Sequence, residues 1–176
     1  MADHVDLVLE QWRTRRPDLG VDSMAVIGRL SRLAQAVAVE LRRTFAAHDL
    51  DAASFDVLAT LRRSDPERPL TPALLTHAAM VTSGAISQRL DRLEARGLVA
   101  RVPARHDGRV VHVRLTPQGH ELIDRALPDH VATMDRILDG LPPERREQLA
   151  DLLRDLLQSL GDTADPAPRP TADRGA

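Results

Sequence analysis

Seven arginines, Arg89, Arg92, Arg96, Arg101, Arg105, Arg109 and Arg114, fall within residues 81–114, against three carboxylates, Asp91, Glu94 and Asp107. This surplus of four positive charges sits in a chain whose formal net charge is −2. Guanidinium groups concentrated on one module form an electrostatic footprint for phosphate. Thr82, Ser83, Ser87 and Gln88 stand among them. Short hydroxyl and amide side chains of this kind hydrogen-bond phosphates and base edges. The chemistry legible here is recognition of a polyanion, with a merely solvated basic surface as the alternative.

Other reactive constellations are missing from the sequence. Without cysteine there is no disulfide, thiolate nucleophile or Cys-ligated metal. The seven histidines, at 4, 48, 77, 106, 112, 120 and 130, contain no pair at the i, i+4 spacing that suits a metal on one helix face. Neither a glycine-rich phosphate loop nor a nucleophile elbow occurs. An enzyme is not expected, nor is a cofactor or a metal. No apolar run approaches a membrane span, and the N-terminal MADHVDLV is acidic and unlike a leader. The expectation is a cytoplasmic protein with no membrane association.

The elements that must position the basic cluster follow from spacing. Ile86, Leu90 and Leu93 recur at i, i+4, i+7, one face of an α-helix. Thr82 or Ser83 can cap its start, and Gly97 supplies the left-handed residue that ends it. Gly84, Gln88, Asp91, Arg92 and Ala95 then face away from the apolar stripe. Val99–Pro103 and Val110–Leu115 alternate as half-buried strands do, and Asp107-Gly108 between them signals a turn. A helix followed directly by a basic hairpin reads as a winged-helix DNA-binding head. The fold class expected is mainly α with a small β-hairpin wing, a winged helix-turn-helix.

The remainder reads as helices. Val5 to about Arg15 is one, stopped by Pro17. Asp22 or Ser23 starts a long one with Ile27, Leu30, Ala34, Val37, Leu41 and Phe45 at helical spacing. Asp51 caps a third, with Phe55, Leu58 and Leu61 as its core. Thr71-Pro72 opens a short one. Pro117 starts a long helix to about Leu138, with Pro128 as a candidate bend, and Pro142-Pro143 begins the last. Leu149, Leu152, Leu153, Leu156, Leu157 and Leu160 give that last helix a broad apolar face. The outer helices carry more apolar surface than one winged helix can cover, which predicts a homodimer. The expected organisation is 1–50 N-terminal helices, 51–116 the winged helix, 117–160 C-terminal dimerisation helices and 161–176 a disordered tail.

FDVLATLRR at Phe55–Arg63, TSGAISQRLDRLEARGLVARVP at Thr82–Pro103, DGR at Asp107–Arg109 and RLTPQG at Arg114–Gly119 together resemble the MarR (multiple-antibiotic-resistance regulator) family. The resemblance covers about Val5 to Leu160. It implies a homodimeric winged-helix transcription factor that binds pseudo-palindromic double-stranded DNA, usually as a repressor. Carried over, Thr82, Ser83, Ser87 and Gln88 enter the major groove and Arg109 the minor groove, with Arg92 and Arg105 as further DNA contacts. The family's Asp-Arg-Arg wing tip is Asp107-Gly108-Arg109 here, one arginine fewer.

Gln11-Trp12, the following RRPDL and SMAVIGRLSRLA from Ser23 are similar to the urate-responsive branch of that family, of actinobacterial type. This narrower resemblance implies a ligand site of Trp12, Asp56, Arg89 and Arg101, and a small anionic effector such as urate or a tricarboxylate. The residues are compatible with that. Arg89 lies about 60° from the core direction of its helix, so it can reach inward. An anion held by Arg89 and Arg101 would compete with Asp56 and drag the helix. A structural Asp56–Arg89 bridge, with Trp12 in packing alone, is the alternative. A helical interaction protein whose winged helix docks protein, without ligand sensing, is the competing functional class.

Overall fold

In a computed structural model, residues 2–65, 68–79, 86–104 and 110–163 are described. They form α1 (His4–Arg15), α2 (Asp22–Ala46), α3 (Ala52–Arg63), α4 (Pro72–Ala78), α5 (Ile86–Ala95), β1 (Val99–Pro103), β2 (Val111–Leu115), α6 (Pro117–Leu138) and α7 (Pro143–Ser159). This is the mainly helical chain with a two-stranded antiparallel hairpin that the sequence predicts. The chain divides into two compact units, Met1–Arg43 and Thr44–Ala176, and the division falls within α2.

In the first unit, Asp3 caps α1. Its carboxylate accepts from the Val5 and Asp6 N–H groups at 2.8 and 3.0 Å, while Asp6 returns a bond to the Asp3 N–H at 2.9 Å. This capping box satisfies N–H groups that a helix start leaves open. Arg29 of α2 then grips both acids, at 2.8 Å to Asp3 and 2.6 Å to Asp6. Val5, Leu9 and Val21 make a small core with Ala25 packed against it. Gly28 lets the helices close, since a Cβ there would meet Val5 at 3.3 Å. Of the apolar positions that the helical spacing of α2 aligns, Ile27 and Leu30 remain exposed, at 53% and 37%.

The second unit holds the main core. Asp51 caps α3 by accepting from the Ser54 N–H at 2.6 Å. Phe55, Val57, Leu58 and Thr60 of α3 are buried, whereas Leu61, expected in the core, is only half-buried. The reason is that α3 is covered from several sides, by α4, α6 and β2, so its buried face is wider than one stripe. Leu75 of α4, Leu90 and Leu93 of α5, Val113 of β2 and Ile123 of α6 are all essentially inaccessible. Phe45, Phe55 and His130 stack, with Phe45–Phe55 centroids 4.4 Å apart and Phe55–His130 4.6 Å apart. The Thr44–Thr133 hydroxyl pair and the His48–Asp129 bond, both 2.8 Å, fasten the end of α2 and its following turn to α6. Helix α6 runs through Pro128 without interruption.

A third strand-like contact has no counterpart in the sequence pattern. Leu70 bridges Val113, whose N–H donates to the Leu70 carbonyl at 2.8 Å. A single residue of pairing is too short for the alternation that marks a strand.

Candidate nucleic-acid interface

Helix α5 and the β1–β2 hairpin form one locally built module. Leu90 and Leu93 bury the inner face of α5, and Ile86 is half-buried. At its end the Gly97 N–H donates to the Glu94 carbonyl at 2.8 Å and the Leu98 N–H to the Leu93 carbonyl at 2.9 Å. Gly97 has φ +69°, the left-handed residue this motif requires. The chain thereby turns directly into β1, which pairs with β2 in the register Val99↔Leu115 to Pro103↔Val111.

Thr116 locks the hairpin to α6. Its hydroxyl donates to the Gly97 carbonyl at 2.6 Å and accepts from the Gly119 N–H at 3.0 Å. Its own N–H reaches the Leu98 carbonyl at 3.1 Å. Gly119 is obligatory at this joint, because a Cβ would lie 2.0 Å from the Leu98 oxygen. The Thr-Pro-Gln-Gly motif is thus a clasp between wing and helix.

On the outer side of α5, Ser87, Gln88, Asp91 and Arg92 are exposed. Among the described residues these present hydroxyl, amide and guanidinium groups to solvent from a helix whose opposite face is anchored. Such a face can meet phosphates and base edges. Thr82 and Ser83, and the wing residues Arg105 and Arg109, lie outside the described residues.

Arg101 sits on β1 and reaches back to α5. Its Nη1 donates to Glu94 and its Nη2 to Asp91, each at 2.6 Å. Its backbone N–H donates to Glu94 at 3.0 Å, and Nη2 also reaches the Ser87 carbonyl at 3.3 Å. The Arg101 N–H and guanidinium hold the Glu94 carboxyl below its ordinary value, and Asp91 and Glu94 hold Arg101 above its own.

Arg89, half-buried, lies roughly 140–160° around α5 from Ser87, Asp91 and Glu94. Its charge acts on Asp51. Burial alone would raise the Asp51 carboxyl, but the Ser54 N–H and hydroxyl, and more weakly the Arg89 charge, hold it below its ordinary value. Arg89 and Arg101 therefore work on opposite sides of one helix. Asp56 is partly buried on α3. Trp12 belongs to the first unit, where it is 41% exposed on α1.

Sequence reading missed the acidic partners of Arg101. The signal was present as two carboxylates three apart on one helix edge, then a left-handed glycine and an arginine on the strand. A turn of known hand brings such residues together, but only if helix and strand are already placed.

A profile described as the MarR family matches residues 48–110. Over 155 residues the chain is 38% identical to the HTH-type transcriptional regulator PecS of Dickeya dadantii, covering 87% of this chain and 93% of that protein. The chain belongs to the MarR family of transcriptional regulators. Among solved structures, it is similar to Sco3205, a MarR family regulator from Streptomyces coelicolor in complex with DNA. That likeness has a TM-score of 0.72 and 26% identity, covering 81% of this chain and 93% of that one. It is also similar to BpsR of Bordetella bronchiseptica, whose DNA binding is regulated by 6-hydroxynicotinic acid, with a TM-score of 0.66 and 28% identity, over 74% and 97% of the two chains. As a member of that family, the chain is a DNA-binding transcriptional regulator with a winged helix. Among the described residues, no helix is long and apolar enough to cross a membrane.

Proposed function

We propose that this regulator is a homodimeric repressor that binds a pseudo-palindromic operator and is released by a small anionic ligand. The observation that carries the DNA half is the anchored α5 with Ser87, Gln88 and Arg92 turned outward, beside a hairpin rich in arginine. In this reading Thr82, Ser83, Ser87 and Gln88 enter the major groove, Arg109 the minor groove, and Arg92 and Arg105 meet phosphates. Residues 51–116 are the DNA-binding region, flanked by dimerisation helices in 1–50 and 117–160. Two-fold symmetry would set two α5 helices one DNA turn apart, roughly 34 Å. Support for the dimer comes from α7, which buries none of its residues in the single chain.

The effector half rests on the resemblance to the urate-responsive branch and on the regulation of BpsR by an aromatic acid. Urate or a tricarboxylate is the ligand class, with Trp12, Asp56, Arg89 and Arg101 as the responding residues. An anion drawn to Arg101 must first displace Asp91 and Glu94 from it. Release needs the ligand to bind the free and DNA-bound forms unequally. The test is a duplex selected from a random pool by the wild-type chain. Binding should fall steeply with salt, as phosphate contacts require. Millimolar urate or citrate should then release the duplex and change the emission of Trp12, the single tryptophan. Salt-independent binding would sink the DNA half. Silence toward both anions would sink the effector half alone.

A further inference from the structure

Arg101 directs its backbone N–H and three guanidinium hydrogen bonds to α5. Its three acceptor residues, 87, 91 and 94, are spaced by four and three, so one guanidinium and one backbone N–H engage about two turns of the helix. The Arg101 side chain is 27% exposed, against 64% for Asp91 and 38% for Glu94. A planar fork with five donors can bridge two carboxylates and a carbonyl at once, which an ammonium cannot do as rigidly. Ser87 lies at the start of α5, next to Gln88, so the contact to its carbonyl fixes the end of the helix that carries the exposed polar groups.

The charges pose a question. Asp91 and Glu94 stand on a helix that, in the DNA-binding reading, approaches phosphates. Two free carboxylates there would repel the ligand. Arg101 offsets one of those two charges and gives the acids a structural use.

We infer that Arg101, with Asp91 and Glu94, is a positioning latch that fixes the first wing strand against the reader helix, so that both elements meet one duplex in a single geometry. This rests on the reading of α5 as the reader helix. In it Arg101 touches neither DNA nor effector in the free protein, and acts through the two acids.

The latch makes a prediction opposite in sign to simple electrostatics. Removing two negative charges from a DNA-facing helix should tighten binding. Loosening the latch should weaken it. The probes are a duplex selected by the wild-type chain and a random-sequence duplex of equal length, read by fluorescence anisotropy, with melting followed so that affinity refers to folded protein. Asp91→Asn with Glu94→Gln should bind the selected duplex at least about tenfold more weakly, while random-duplex binding is not weakened. Arg101→Ala should lower selected-duplex binding at least as much, with a smaller fall for the random duplex because two carboxylates are left unpaired near phosphate, and Arg101→Lys should recover only part of the loss. Equal or tighter binding of the selected duplex by the double variant would overturn the latch. So would an Arg101→Ala protein that loses only its anion response. Normal selection by the wild type with normal binding by every variant would overturn the latch alone. Failure of the wild-type chain to select any duplex would overturn the DNA reading and the latch with it.

Discussion

The winged helix and the outer helices of this chain use apolar residues in opposite ways. Around α5 and the hairpin, Leu90, Leu93, Leu98, Val99 and Val113 are each 2% exposed or less. On α7 and at its C-cap, Leu152, Leu157 and Leu160 are 66%, 50% and 77% exposed, and Val131 and Met134 of α6 are 48% and 37% exposed. The first region closes its own core and joins its elements through Thr116, Gly119 and Arg101. The second is an amphipathic surface without a covering layer in one chain. A closed head and an uncovered helical face fit the two tasks proposed for this chain, presentation of polar groups and association through apolar area.

Breaking the head should have the largest effect. Gly119→Ala drives a methyl onto the Leu98 carbonyl, a backbone atom that cannot yield without opening the wing–α6 joint. A loss of about 3 kcal/mol or more is expected, at the upper end for overpacking. Chemical denaturation measures it, and an unchanged midpoint would show the joint to be soft.

The outer face should respond differently. Leu157→Glu places a carboxylate on a position half-exposed in the single chain, so the fold should persist while the proposed dimer is lost. Burying an unpaired carboxylate should raise the dimer dissociation constant at least about a hundredfold. Sedimentation at several concentrations decides this, with circular dichroism as the check on helix content. An unchanged dimer would move the interface away from α7.

A substitution at Arg109 tests the DNA contact proposed for it. Arg109→Ala should weaken duplex binding roughly tenfold and lower the salt slope by about 1. The same affinity as wild type at every salt concentration would deny Arg109 a part in binding.

The smallest effect is expected at the junction of the end of α2 with α3 and α6. His130 packs on Phe45 and Phe55, its Nδ1 has no partner among the described residues, and burial lowers its pKa. Because the folded value is depressed, the unfolded chain takes up the proton first as pH falls. Its contribution is therefore complete above the ordinary histidine value, about 6.5, and is lost as pH drops toward the folded value. His130→Phe keeps the ring and removes the titration. Its melting temperature should fall less between pH 7.5 and pH 5.5 than that of wild type, and an equal fall would exclude His130 as a source of acid sensitivity.

The sequence by itself determined the local events. Asp51, Thr71 and Gly97 end or begin helices because capping needs only a side-chain oxygen or a left-handed residue at one place. Residues 99–103 and 111–115 pair because alternation over a short turn is also local. The tertiary structure decided what depends on distant segments. Val57 joined Phe55 and Leu58 in the core because α4, α6 and β2 pack around α3. Leu70 found Val113 across more than forty residues. Arg101, read from resemblance as a ligand residue, is held by Asp91 and Glu94, because only the folded turn at Gly97 sets the strand alongside that edge of the helix. Periodicity states which face a residue occupies. Which charges meet across that face is fixed only when two elements have been placed against each other.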